Sequence, residues 1–168
     1  MKEETHINIG ESIHIFNEIE LFLNLIITHH ISPKDKIFFL NYILNTSVIS
    51  FGAKIKILIN LNIFSKNQIT QLRKLSSNRN VFAHTNRNPR FVDEIITYPE
   101  KKLAEIVIKD IILETNSEGK LKTTNYKEFL ESNIKLRNDI IDFIVEYINK
   151  NSIDTLHFHV QNLANSKI

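Results

Sequence analysis

The chain has 168 residues, with 21 Lys+Arg against 19 Asp+Glu and no cysteine. A chain of this length folded as one domain buries about two thirds of its unfolded surface, so no disulfide or metal staple is required. The missing thiols exclude disulfides, thiolate nucleophiles and thiolate zinc sites, and they fit a reducing compartment.

The opening "MKEETHINIGESIH" lacks the basic start and apolar run of a secretion signal. No stretch approaches about eighteen uninterrupted apolar residues. The expectation is a cytoplasmic chain without a membrane span. Three glycines and three prolines leave few turn positions, which favours long helices over a sandwich or barrel.

The first helix is predicted from about Ile9 to His29, with Ile13, Phe16, Ile19, Phe22, Leu23 and Ile26 at spacings of three and four. His29 and His30 then suit the negative end of that helix as cations. A second helix is expected from Pro33 to Asn45, with Ser32 as N-cap, Pro33 in the first helical position and Asp35 in the first turn. Its aromatic pair Phe38 and Phe39 is assigned to the core.

"SFGAKIKILINLNIF" reads as a short third helix, placing Phe51, Ile55, Leu58 and Ile59 on one side and Lys54 on the flank. In "SKNQITQLRKLSSNRNVFAH", Ser65 and Gln68 form a capping box, and Ile69, Leu72, Leu75 and Phe82 line the buried side of a fourth helix. Residues 91–125 form the expected insertion: β-branched density and the turn "NSEG" predict a hairpin of about 104–114 and 120–124. A helix opening at "TYPE", capped by Thr97 and Glu100, competes with it. From Tyr126 to Lys150 the spacing is helical again, and 151–168 forms a tail. The expected architecture is mainly α: one domain over 1–168, an up-and-down bundle of four to five helices with a small hairpin insertion.

Charge is distributed unevenly along the chain. From Lys36 to Val92 there is no Asp or Glu, while Lys36, Lys54, Lys56, Lys66, Arg73, Lys74, Arg79, Arg87 and Arg90 supply nine positive charges. At the chain's average acid content about six acids would fall there, so the window points to an anionic partner, with a solvated basic face as the plainer reading. Near the end of the fourth helix, "SSNRNVFAHT" places Arg79, Asn80 and His84 within six residues. Asn80 and His84 share a helix face, whereas Arg79 and His84 diverge by about 140°. The alternative is structural, with Asn80 and His84 bonding the orphan carbonyls of a helix end.

"RNVFAH" resembles the R-x(4 to 6)-H motif of HEPN domains, helical bundles found in bacterial RNA-targeting systems. "SFGAKIKIL" followed by "LRKLSSNRNVFAH" is similar to the corresponding helices of the mannitol-operon-repressor-like branch of that superfamily. The likeness covers about residues 47–86, roughly a quarter of the chain.

The resemblance implies a metal-independent endoribonuclease with no cofactor, a toxin or anti-phage defence effector with a neutralising protein partner. Arg79, Asn80 and His84 would be catalytic, and Arg73, Lys74, Arg87 and Arg90 would bind RNA. One chain supplies a single such histidine, so a homodimer through the helix carrying Arg79 and His84 is expected to complete the site. The rival is a non-catalytic member of the same fold, an RNA- or nucleotide-binding or transcriptional-regulatory module. Metal binding through His29 and His30, or through "HFH" at 157–159, lacks a third ligand at a standard spacing.

Overall fold

Short polar side chains decide where the helices of this glycine-poor chain begin and end. The computed structural model describes residues 2–84, 90–98, 103–115 and 120–155. Helix α1 runs over Lys2–Ile31, α2 over Lys36–Phe38, α3 over Phe51–Asn60, α4 over Lys66–His84 and α5 over Tyr126–Lys150. Strands β1, β2 and β3 span Arg90–Tyr98, Leu103–Thr115 and Leu121–Asn125. A π-helical turn, Phe39–Ile43, continues α2.

The capping box of α4 forms as expected: Ser65 N donates to Gln68 Oε1 at 2.9 Å, and Gln68 N donates to Ser65 Oγ at 3.3 Å. Ser50 Oγ accepts from Ala53 N at the start of α3. Asn125 Oδ1 accepts from Lys127 N at the start of α5.

The second helix departs from expectation. Asp35 is its cap, accepting from Phe38 N at 2.8 Å. Ser32 instead adopts a left-handed conformation, φ 47°, and its N–H bonds Thr28 O at the end of α1. Asn62 and Ser152 are left-handed in the same way after α3 and α5, and Ile63 and Ile153 then bond back to Leu58 O and Ile148 O. These are the closing bonds of a Schellman motif, made here without glycine. Phe39 packs against the core, but Phe38 is half-exposed and stacks on Tyr42 with ring centroids 5.1 Å apart.

The chain forms two compact units. The first holds Met1–Phe82 together with α5 from Ile134 onward. Helix α1 supplies much of its core: Phe22 to Thr28 are all buried, so every face of the helix is covered there. Phe51, Ile55 and Leu58 of α3, Ile69, Leu72 and Leu75 of α4, and Ile140, Ile141, Ile144 and Ile148 of α5 complete one apolar cluster with it. Ile59 of α3 is partly exposed.

Lys54 does not lie on the flank of α3. It is fully buried, and its Nζ meets Glu20 Oε1 of α1 at 2.5 Å. Thr46 Oγ1 donates to the same oxygen at 2.7 Å.

The second unit, Ala83–Asn133, contains an antiparallel sheet in the order β1-β2-β3. The β2–β3 pair fulfils the predicted hairpin, with Ile111 opposite Asn125 and Thr115 opposite Leu121. Strand β1 is additional. Thr97 pairs with Ala104 in the sheet, which rules out the helix opening at that residue. The register of β1 shifts between Val92 and Glu94, a bulge that interrupts the alternation a strand normally shows.

Removing one partner of a buried ion pair leaves an uncompensated charge. Lys54→Met is expected to lower the free energy of unfolding by about 3–5 kcal/mol, and adding Glu20→Leu to recover most of it. Urea unfolding of the single and double variants measures both; equal losses in the two would contradict the account.

Candidate functional site

Helix α4 has two chemically different sides. Leu72, Leu75 and Asn78 are buried, whereas Arg73, Lys74, Ser77 and Asn80 are exposed. At about 100° per residue, Arg73 and Asn80 fall within about 20° of one another around the axis, on the solvent side. His84 is the last residue of α4; its side chain lies outside the described residues.

Arg79 belongs to the opposite side. Its spacing from Leu72 and Leu75, seven and four residues, puts it in the core-facing row. The side chain is half-buried, and its guanidinium carbon sits 5.5 Å from the centre of the Phe16 ring, within cation–π range. Phe16 in turn packs on Phe51, the aromatic residue of "SFGAKIKIL", at 4.6 Å between centroids. Among the described residues Arg79 has no ion-pair partner, and its buried Nε makes no hydrogen bond. The guanidinium is therefore a half-buried cation whose Nε has no acceptor among the described residues.

The structure therefore separates Arg79 from Asn80 around the helix, and it brings Arg73 and Asn80 onto a common exposed face. Arg87 lies outside the described residues. Arg90 opens β1, and its side chain is not among those described. Of the nine cations in the acid-free window, Lys54 is withdrawn into the core by Glu20. Lys36, Lys56, Lys66, Arg73 and Lys74 remain exposed.

His29 and His30 close α1 and meet edge to face, 5.3 Å between centroids. His30 Nε2 shares a 2.7 Å hydrogen bond with the Tyr147 hydroxyl of α5. Partial burial, with His29 adding to it, holds His30 below the usual histidine value, while burial pushes the Tyr147 hydroxyl up. The bond ties the end of α1 to α5, and the lowered value favours the neutral imidazole in that link over a cation at the helix end. Among the described residues no group of three His, Asp or Glu is placed to hold a metal.

A polar concentration beyond those expected from the sequence lies on α1, where Asn17, Glu20 and Asn24 share one stripe and Asn24 Oδ1 is buried without a partner among the described residues. The signal was present as asparagines at heptad spacing in an otherwise apolar helix.

No family model matches this chain, and no match is found among curated proteins or solved structures.

The His30 link makes stability depend on pH. The unfolded histidine, near 6.5, takes up a proton before the folded one. The neutral link is therefore intact above that value and is lost as pH falls below it toward the lowered folded value. The urea midpoint is expected to fall between about pH 7.5 and pH 5.5, and less steeply in His30→Gln. Equal pH dependence in the two proteins would contradict the assignment.

Proposed function

We propose that this chain is a metal-independent endoribonuclease of HEPN type, acting as a homodimer through α4. The observation that carries the reading is the half-buried guanidinium of Arg79, whose Nε has no hydrogen-bond partner among the described residues, on a helix that exposes Asn80 on another face and has no carboxylate. Carboxylates near a scissile phosphate would repel it; donors that cost little to reorganise favour the developing phosphorane charge.

In this reading His84 of one copy takes the proton from the RNA 2'-hydroxyl, whose oxygen attacks phosphorus. The bond to the 5'-oxygen breaks, and His84 of the other copy protonates that leaving oxygen. The products are a 2',3'-cyclic phosphate and a 5'-hydroxyl, and no metal or cofactor takes part. Arg79 offers its planar fork to the nonbridging oxygens, and Asn80 orients the histidine or the phosphate. Arg73, Lys74, Arg87 and Arg90 hold flanking phosphates through contacts that weaken with salt. The chemistry suits a toxin or antiviral effector kept in check by a neutralising protein.

One observation favours a second reading. Arg79 rests on Phe16, on the side of α4 away from Asn80, as a purely structural arginine would. A non-catalytic RNA-binding or regulatory module of the same fold needs only the exposed cations.

Labelled RNA incubated with the protein in excess EDTA distinguishes the two. The nuclease reading predicts cleavage to 2',3'-cyclic ends, reduced about 10²–10⁴-fold in His84→Ala and also reduced in Arg79→Ala. Binding without cleavage by the parent and both variants supports the regulatory module. Full activity in His84→Ala removes the proposed mechanism.

A further inference from the structure

An open groove of about 270 Å³ runs between α1 and the π-helical turn. Its polar lining comes from Asn17, Glu20 and Asn24 on α1 and from Asn41, Asn45 and Thr46 on the opposing segment, with three leucines completing the wall. We infer that this groove is a binding site for a neutral ligand bearing a primary carboxamide.

The inference starts from Asn24. It is only 9% exposed, yet its Oδ1 finds no donor among the described residues. A buried acceptor left without a donor is costly, and native proteins rarely retain one without a use for it. Replacing Asn24 by leucine would continue the surrounding apolar packing, so its retention in the core points to something that binds there. The π-turn is a second sign, because such turns are strained and occur often at functional sites.

The lining selects the chemistry. Among the described residues no lysine, arginine or histidine lines the groove. The one carboxylate, Glu20, is already matched by Lys54 and Thr46, whose bonds converge on Oε1. A charged ligand would lose hydration there with no opposite charge to compensate it. Among the described residues no aromatic ring lines the groove, so a stacked base or sugar finds no platform there.

What remains is a set of four amides, each offering a donor and an acceptor. Their best complement is another amide, whose N–H meets Asn24 Oδ1 once the side chain turns that oxygen toward the groove, while its carbonyl accepts from a neighbouring asparagine. Asn45 is committed in part, since its Oδ1 accepts from Ser47 N and Oγ. Asn17 and Asn41, both exposed at the rim, are the free partners for the ligand carbonyl. The groove volume equals about nine waters, enough for a small amide or a glutamine side chain but small for a larger cofactor. This site does not depend on the ribonuclease reading.

The test is an NMR titration of the ¹⁵N-labelled full chain, following the Asn side-chain amides. Four probes are used: propionamide, the blocked glutamine Ac-Gln-NH₂, and the charged isosteres propionate and propylammonium. Both amides should perturb Asn24 saturably, and the isosteres should not. Tighter binding of propionamide indicates a free small amide as the natural source, and tighter binding of Ac-Gln-NH₂ a peptide side chain. Asn24→Leu should weaken the amides about tenfold or more while leaving the protein at least as stable. Asn41→Ala, at an exposed position that does not threaten the fold, should weaken them about fivefold. The proposal is overturned if no amide perturbs Asn24, the result when solvent alone satisfies it. It is equally overturned if the charged isosteres bind as well as the amides, or if both variants keep parent affinity.

Discussion

Glu20 and Lys54 are buried against each other, and the arrangement of the helical unit follows from that pairing. The two come from helices separated by more than thirty residues, and neither charge could stay in the core alone. Satisfying them fixes α3 against α1 in one register, and Thr46 adds the segment between them to the same oxygen. An apolar contact would tolerate sliding; an ion pair with a hydrogen bond to one carboxylate oxygen does not. The pair also explains why α1 can be covered on every face while carrying acidic and amide side chains.

The same register sets the environment of Arg79. Phe16, one turn before Glu20, packs on Phe51, one turn before Lys54. Arg79 then lies over Phe16. Arg79 is thus held by the packing of the first and third helices. Asn80 and Arg73, by contrast, project to solvent and owe nothing to the core. A helix divided in this way is suited to present a rigid cation at its edge and adaptable polar groups on its outer face.

Local chemistry was legible in the sequence, and long-range pairing was not. The capping box of Ser65 and Gln68 and the bounds of α5 depend on neighbours within four residues, and each is found as read. Ser32 can stand at a helix start or, as here, in a left-handed helix end, and only the backbone decides between them. Lys54 looked like a flank residue because lysine is almost never fully buried unless paired. Its partner is on another helix and carries no mark in the sequence. Strand β1 escaped notice because Asp93, Glu94 and a bulge break the alternation. The polar side chains of the candidate nuclease site were visible as residue types; that Arg79 faces inward while Asn80 faces outward follows from spacing, once the helix is known to continue through His84.

The functional account rests on α4 meeting a second copy of itself through its exposed face. The chain has no cysteine, so a single thiol introduced at exposed Ser77 can carry a spin label as the only one in the protein. Pulsed dipolar spectroscopy on the Ser77→Cys protein should show a short, well-defined distance between labels on two copies, and labels at exposed Lys56→Cys should be farther apart. A monomer without dipolar coupling, or a dimer in which the Ser77 labels are the more distant pair, would contradict the account.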